Sequence, residues 1–231
     1  MSHKTIGILG GMSPESTVEY YRHITRRYTE RFGDHGYPEI VIYSVSFQPY
    51  INWPEAGRWD QVAQGLGTAA QRLEAAGVDL ILIATNTMHI VFDQVQAQVD
   101  VPMLSLLDAV ADAIEVQGLR TVGLLGTTFT MEKPFYREAL AERGITVLVP
   151  ESEDREAVNR IIYEELVTGE IREASRAAYV AAVDRLAARG AEGVILGCTE
   201  IPLLISETDV DLPLFDTTAI HAEAALNEAL E

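Results

Sequence analysis

Thr5-Ile6-Gly7-Ile8-Leu9-Gly10 and Thr121-Val122-Gly123-Leu124-Leu125-Gly126 are one hexapeptide pattern written twice (5 to 121, an offset of 116). Each is a nearly unbroken apolar run ending in glycine. A strand covered by helices on both faces of a parallel sheet reads this way, whereas a half-exposed strand alternates with polar residues. The correspondence continues along the chain. Tyr20-Tyr21-Arg22 matches Phe135-Tyr136-Arg137 (20 to 135, an offset of 115). Leu73, Gly77, Asp79 and Thr85 match Leu186, Gly190, Glu192 and Cys198 (73 to 186, an offset of 113), and Asp100-Val101-Pro102 matches Asp211-Leu212-Pro213 (100 to 211, an offset of 111). Ordered blocks with a slowly drifting offset indicate an internal duplication, two equivalent α/β halves related by a pseudo-twofold.

Six further apolar runs complete the strand set: Ile40 to Phe47, Leu80 to Thr85, Pro102 to Leu106, Thr146 to Pro150, Gly193 to Cys198 and Pro213 to Asp216. Helical signals fill the gaps. Pro14 to Arg31 follows the N-cap residue Ser13, and Trp59 to Ala76, Glu132 to Arg143 and Ala174 to Arg189 run into Gly77, Gly144 and Gly190, where a left-handed C-cap belongs. Thr217 to Leu230 reads as an amphipathic C-terminal helix. The fold class is therefore α/β, with each half a parallel sheet covered by helices. Residues 1–99 with 209–231 form the expected first half, closed by the returning helix, and 100–208 form the second.

Composition narrows the function. The chain has 231 residues, 48% of them hydrophobic and 23% charged, which excludes a disordered or fibrous protein. With 17 basic and 35 acidic side chains the net charge is -18, a field that repels nucleic acid and anionic membranes. The expected partner is a small molecule, with no nucleic acid and no membrane. Cys198 is the only cysteine, so no intrachain disulfide exists and a reducing cytoplasm is the expected location. Met1-Ser2-His3-Lys4 leads directly into the first strand, with no export or membrane signal. The five histidines, at 3, 23, 35, 89 and 221, show no ligand spacing, and no metal is expected.

Open parallel sheets bind ligands at the carboxyl ends of their strands. Four such ends stand out in matched pairs: Gly10-Gly11-Met12-Ser13 with Gly126-Thr127-Thr128, and Thr85-Asn86-Thr87 with Gly197-Cys198-Thr199-Glu200. The spacing of Gly7, Gly10 and Gly11 is not GxGxxG, and no Walker lysine follows, which argues against a nucleotide. Small hydroxylic loops with free amides suit carboxylates instead. The repeat makes Thr85 the counterpart of Cys198 (85 to 198, an offset of 113), so the two are expected to face one cavity from opposite sides. A thiol and a hydroxyl flanking one carbon suit removal of a proton from one face and delivery to the other. A cysteine after Val-Ile-Leu also fits as a small buried hydrophobe.

Several blocks together resemble the aspartate/glutamate racemase family: Gly10-Gly11-Met12-Ser13-Pro14-Glu15-Ser16-Thr17, Thr85-Asn86-Thr87-Met88-His89, Asn159-Arg160-Ile161-Ile162-Tyr163-Glu164-Glu165-Leu166, Leu196-Gly197-Cys198-Thr199-Glu200-Ile201 and Phe215-Asp216-Thr217-Thr218-Ala219-Ile220-His221-Ala222. The resemblance implies two Rossmann-like halves and a racemase that needs no cofactor, usually a homodimer, acting on an amino acid. Typical members carry a cysteine in both halves, whereas this chain has Thr85 in the first. A threonine and cysteine pair resembles the subgroup specific for L-aspartate or L-glutamate and implies unequal rates in the two directions. Cys198 and Thr85 are then the catalytic pair, with Met12, Ser13, Asn86, Thr87, Thr127, Thr199 and Glu200 as substrate-binding candidates.

Glu200 carries two readings: it orients a substrate ammonium, although its negative charge opposes thiolate formation, or it is a solvated carboxylate at a helix start. His89 and His221 read as packing or capping residues. A second substrate carboxylate calls for a cation; Ala157 stands where related racemases carry a basic residue, which leaves Arg58 and Arg155. Two alternatives remain at this level. One is a one-cysteine enzyme resembling arylmalonate decarboxylases, and the other is a non-catalytic amino-acid-binding module.

Overall fold

The structure, a computed structural model, describes residues 3–231; the leader-free reading of the N-terminus falls partly on Met1 and Ser2, outside the described residues. In chain order the elements are β1 (Ile6–Gly10), α1 (Pro14–Phe32), β2 (Ile40–Ser44), α2 (Phe47–Glu55), α3 (Trp59–Ala75), β3 (Leu80–Ile83), α4 (Phe92–Gln96), β4 (Met103–Leu104), α5 (Leu106–Val116), β5 (Thr121–Leu125), α6 (Thr128–Glu132), α7 (Phe135–Glu142), β6 (Thr146–Leu148), α8 (Ser152–Glu164), α9 (Glu173–Ala188), β7 (Gly193–Leu196), β8 (Leu214–Asp216) and α10 (Thr217–Leu230). Short 3₁₀ turns cover Thr87–Val91, Leu166–Thr168 and Ile201–Leu203.

The strands form two four-stranded sheets, ordered β2-β1-β3-β4 and β6-β5-β7-β8, and every pairing is parallel. The duplication read from the sequence is thus a repeated topology. The central strands β1, β3 and β7 are buried throughout, as their unbroken apolar runs require, and the edge strand β2 leaves Ile42 exposed. A matched pair of acids explains one repeated position. Asp79 accepts the Thr5 N–H at 2.6 Å, and Glu192 accepts those of Arg120 and Thr121 at 2.7 and 2.8 Å, so each carboxylate holds the start of its sheet's first strand. Tyr20 of α1 and Tyr136 of α7 are both fully buried aromatics.

The chain divides into two compact units. One runs to Ala109 and takes up Thr218–Glu231, and the other is Val110–Thr217. The expected divisions after residues 99 and 208 lie later, after 109 and 217, because β4 pairs with β3 and β8 pairs with β7, each within the sheet of its own repeat. In the first unit Ala222, Ala225, Leu226 and Ala229 of α10, at i, i+3, i+4 and i+7, pack with Ile6, Ile8, Tyr20 and Ile24. On the other face of that sheet Leu9, Ile81 and Ile83 pack with Val62, Leu66 and Leu73 of α3. The second unit buries Leu125, Val194 and Leu196 against Ile161, Tyr179, Val183 and Leu186. Several expected strands are shorter than read: Leu80 to Thr85 ends at Ile83, Pro102 to Leu106 is only Met103–Leu104 because Leu106 opens α5, Thr146 to Pro150 ends at Leu148 and Gly193 to Cys198 ends at Leu196. Ile40 to Phe47 ends at Ser44, and Phe47 instead opens α2 with Pro49 in the first turn, where a missing N–H costs no helical bond. No helix of the described residues is long and apolar enough to cross a membrane.

Candidate active site

At the carboxyl edge of the first sheet, β1 gives way to Gly11-Met12-Ser13. Ser13 adopts extended backbone and its hydroxyl accepts the Ser16 N–H at 3.2 Å, an N-cap worth about 1 kcal/mol to α1. The Thr17 hydroxyl accepts the Gly11 N–H at 2.8 Å and donates to the Ser13 carbonyl at 3.0 Å, while Ser16 Oγ donates to the Ala84 carbonyl at 2.8 Å. The loops after β1 and β3 are thereby tied together. Met12 turns its side chain into the core, so only its backbone is left for a ligand.

Thr85 follows β3 and is half-buried, Asn86 beside it is buried, and Thr87 opens a 3₁₀ turn. His89, two residues further on, grips this loop. Its Nε2 accepts the Leu106 N–H at 3.1 Å, which puts the proton on Nδ1, where it is donated to the Thr85 carbonyl at 2.9 Å. His221 lies behind it, donating from Nε2 to the Leu104 carbonyl at 3.0 Å and accepting the Tyr20 hydroxyl at 2.8 Å. Phe92 stacks on the His89 ring, with centroids 5.4 Å apart. Burial lowers both histidines, His89 to about 4 and His221 to about 3, so both rings are neutral at physiological pH.

At the carboxyl edge of the second sheet, the Thr127 hydroxyl caps α6, accepting the Thr130 N–H at 3.4 Å. Asn159 Oδ1, from α8, accepts the Thr128 N–H at 2.8 Å. β5 and β7 are hydrogen-bonded neighbours, which brings Thr127 to the same edge as Cys198, Thr199 and Glu200. The Cys198 thiol is half-buried and donates to Glu200 Oε2 at 2.9 Å. Burial first, and then the Glu200 charge and hydrogen bond, push its pKa well above the ordinary thiol value, against a smaller opposing pull from the Thr199 and Glu200 amides. The expected opposition of the Glu200 charge to the thiolate is thus one of the causes of the raised thiol pKa. Behind the thiol, Tyr179 is fully buried and donates to the Val158 carbonyl at 3.0 Å.

The structure therefore gathers Met12, Ser13, Thr85, Asn86 and Thr87 on one sheet edge, and Thr127, Cys198, Thr199 and Glu200 on the other. The two arginine candidates differ. Arg155 is engaged by the Pro150 carbonyl at 3.0 Å and by Glu132 at 3.4 Å. Arg58 precedes α3, whose N-terminal end lies at the carboxyl edge of its sheet. It is exposed, has no ion pair among the described residues, and lines an open cavity of about 610 Å³ with Trp53, Gln61 and Thr68.

The family model for Asp/Glu/Hydantoin racemase matches residues 9–225. The chain belongs to this family. A crystal structure of a Yersinia pestis protein assigned to the Asp/Glu racemases shares 47% identity over 99% of this chain and 100% of that one, with a TM-score of 0.94. An aspartate racemase homologue from Pyrococcus horikoshii OT3 shares 44% over 99% and 100%, with a TM-score of 0.88. The broad specificity amino-acid racemase RacX of Bacillus subtilis is 25% identical over 228 residues, 97% of this chain and 98% of its own length.

Within this racemase fold, two residues that order the candidate site's loops are not among the site residues read from the sequence. Asn159 lies in one of the blocks that resemble the family, yet its bond to the Thr128 amide needs α8 packed on α6. His89 reads as a packing or capping residue, and the structure shows what it caps: it joins the Thr85 carbonyl to the first turn of α5.

Proposed function

We propose that this racemase inverts an acidic amino acid, aspartate or glutamate, without a cofactor, by taking the Cα proton on one face and returning a proton on the other. Cys198 is the base for one enantiomer and Thr85 the opposing group. The observation that carries this reading is the pairing by repeat position: in a chain of this family, a half-buried thiol ends β7 where a hydroxyl ends the equivalent strand β3. A thiol is far closer to ionising than a hydroxyl, so the two directions are unequal.

Asn86, Thr87, Thr127 and Thr199 offer side-chain and amide donors to the α-carboxylate, with Ser13 and the Met12 backbone beside them. Glu200 faces the ammonium. Arg58, exposed and without an ion pair among the described residues, is the candidate cation for the side-chain carboxylate. The lone cysteine and the resemblance support a homodimer working in a reducing cytoplasm.

The test is incubation with L- and D-aspartate and L- and D-glutamate in D₂O, followed by mass spectrometry and chiral chromatography of recovered substrate. Deuterium at Cα of the inverted product is expected. Binding without exchange would favour the binding module, and carbon dioxide release from an arylmalonate would favour the decarboxylase. Arg58→Ala is expected to raise KM for both acids at least tenfold and to leave alanine, if it is turned over, unaffected.

A further inference from the structure

The loop after β3 is held by its peptide groups, while one side chain stays free. The Ala84 N–H donates to the Leu9 carbonyl at 2.9 Å, the Thr85 N–H to the Ile83 carbonyl at 2.9 Å, and the His89 Nδ1–H to the Thr85 carbonyl at 2.9 Å. The Thr85 hydroxyl makes no hydrogen bond among the described residues. His89 is fixed in turn. Its Nε2 accepts the Leu106 N–H at 3.1 Å, its backbone N–H donates to the Asn86 carbonyl at 3.1 Å, Phe92 stacks on the ring, and the His221 ring stands edge-on with centroids 5.7 Å apart. His221 binds the Leu104 carbonyl at 3.0 Å, so the two imidazoles hold the chain on either side of Ser105. Thr85, His89, Leu106 and His221 all belong to the first unit, and the clamp is complete within it.

We propose that His89 is the positioning residue for Thr85: it fixes the peptide that carries the hydroxyl, and its loss separates proton removal at Cα from inversion. This rests on the racemase reading above and adds the residue that keeps the second proton transfer coupled to the first. His89 itself moves no proton. Both ring nitrogens are committed to backbone groups, and burial keeps the ring neutral, with its pKa lowered to about 4. A Thr85 carbonyl that has lost its donor lets the Thr85–Asn86 peptide turn, and the hydroxyl on the adjoining Cα turns with it. A displacement of about 1 Å at a reacting group costs on the order of 100-fold in rate. In the intact enzyme the substrate Cα–H bond breaks, an S–H bond forms at the base, and the electron pair stays on the substrate. The Thr85 O–H bond then breaks as a Cα–H bond forms on the other face, and the Thr85 oxygen regains a proton from water. With Thr85 misplaced, the thiol exchanges its proton with D₂O and returns a deuteron to the face it took from. The substrate is recovered with deuterium at Cα and its configuration unchanged.

His89→Phe keeps a ring against Phe92 and removes both hydrogen bonds, and His89→Gln keeps a donor and an acceptor. Each pure enantiomer of aspartate and glutamate is incubated in D₂O and stopped early, and deuterium is read separately in unconverted substrate and in inverted product. For the enantiomer that gives its proton to the thiol, the ratio of deuterated substrate to product is expected to rise roughly tenfold or more in His89→Phe. For the other, whose proton Thr85 must take, exchange and inversion should fall together. His89→Gln should keep the wild-type ratio. His89→Met, pliable in packing and without a donor, serves if the phenyl ring prevents folding. An unchanged ratio in the donor-less variants, with exchange and inversion lost in equal measure, would make His89 a purely structural residue and overturn the proposal. A second readout needs no turnover. The ¹⁵N spectrum of wild-type His89 is expected to show the neutral ring protonated on Nδ1, unchanged between about pH 7.5 and 5.5. An Nε2-protonated ring, or one that titrates near its ordinary value, overturns the clamp. Absence of exchange and inversion with every amino acid in wild type would overturn the racemase reading instead, and the ring spectrum would still decide the clamp.

Discussion

At the residue scale, the proposed pair of Cys198 and Thr85 is unequal in chemistry. Cys198→Ser replaces a group that ionises above neutral pH by one that does not ionise in water's usable range. Turnover is expected to fall by roughly 10³ or more. The melting temperature should stay within a few degrees, because the change is small and the side chain is only half-buried. Residual activity above a tenth, measured by chiral chromatography, would remove Cys198 from the role of base. Thr85→Cys makes the opposite change. It places a better acid and base at the end of β3 and is expected to raise initial rate in the slower direction more than in the faster one. Equilibrium between enantiomers remains at unity in both proteins, so the comparison must use initial rates from each pure enantiomer. Equal rates in the two directions in wild type would show that the threonine does not set direction.

At the scale of elements, the first strand-to-helix turn is the most constrained piece of the site. Gly11 has φ +94°, and a Cβ there would lie 2.5 Å from the Val45 carbonyl oxygen and 2.7 Å from its nitrogen. Those are backbone atoms of the loop after β2, which in turn bonds the Gly10 carbonyl from the Val45 N–H at 3.0 Å. Gly11→Ala must therefore shift the loop that carries Met12 and Ser13. A loss of about 1–3 kcal/mol is expected in urea unfolding, together with a larger KM. A stability within about 0.5 kcal/mol of wild type would mean that the turn relaxes freely.

At the scale of the whole molecule, the buried histidine pair makes stability depend on acid. His89 and His221 are fully enclosed in the first unit, their ring centroids 5.7 Å apart, and both are held neutral with pKa values near 4 and 3. In the unfolded chain each binds a proton below its ordinary value of about 6.5. Stability from this source is thus complete above about pH 6.5 and is lost progressively as the pH falls toward 4 and 3, because the unfolded state takes up protons that the folded state refuses. Taken to a pH below both values, the pair amounts to a loss on the order of 8 kcal/mol. Thermal melts between pH 7 and 4 should fall steeply in wild type. His89→Gln, which keeps a donor for Thr85 and an acceptor for Leu106, should flatten the curve. Parallel curves for the two proteins would show that the His89 ring is not the source of the acid loss.

The strands were legible because their chemistry is local. An apolar run with no alternation has no solvent face, and Gly10 and Gly126 mark where each such run must turn, so the repeated α/β halves, the eight strands and the hydroxylic strand ends followed from residue order alone. The pairing of Thr85 with Cys198 by repeat position was legible for the same reason. Tertiary structure decided what depends on partners distant in sequence. The unit boundaries moved to 109 and 217 because β4 and β8 hydrogen-bond to β3 and β7. That the Met12 side chain packs in the core of the first unit was likewise decided by tertiary structure. Asn159 reaches the β5 loop across 31 residues and His89 reaches Leu106 across 17, contacts that periodicity does not encode. The state of Cys198 belongs here too: the sequence put a thiol beside a carboxylate two residues away, but only burial and a 2.9 Å approach decided that the carboxylate's field outweighs the nearby amides.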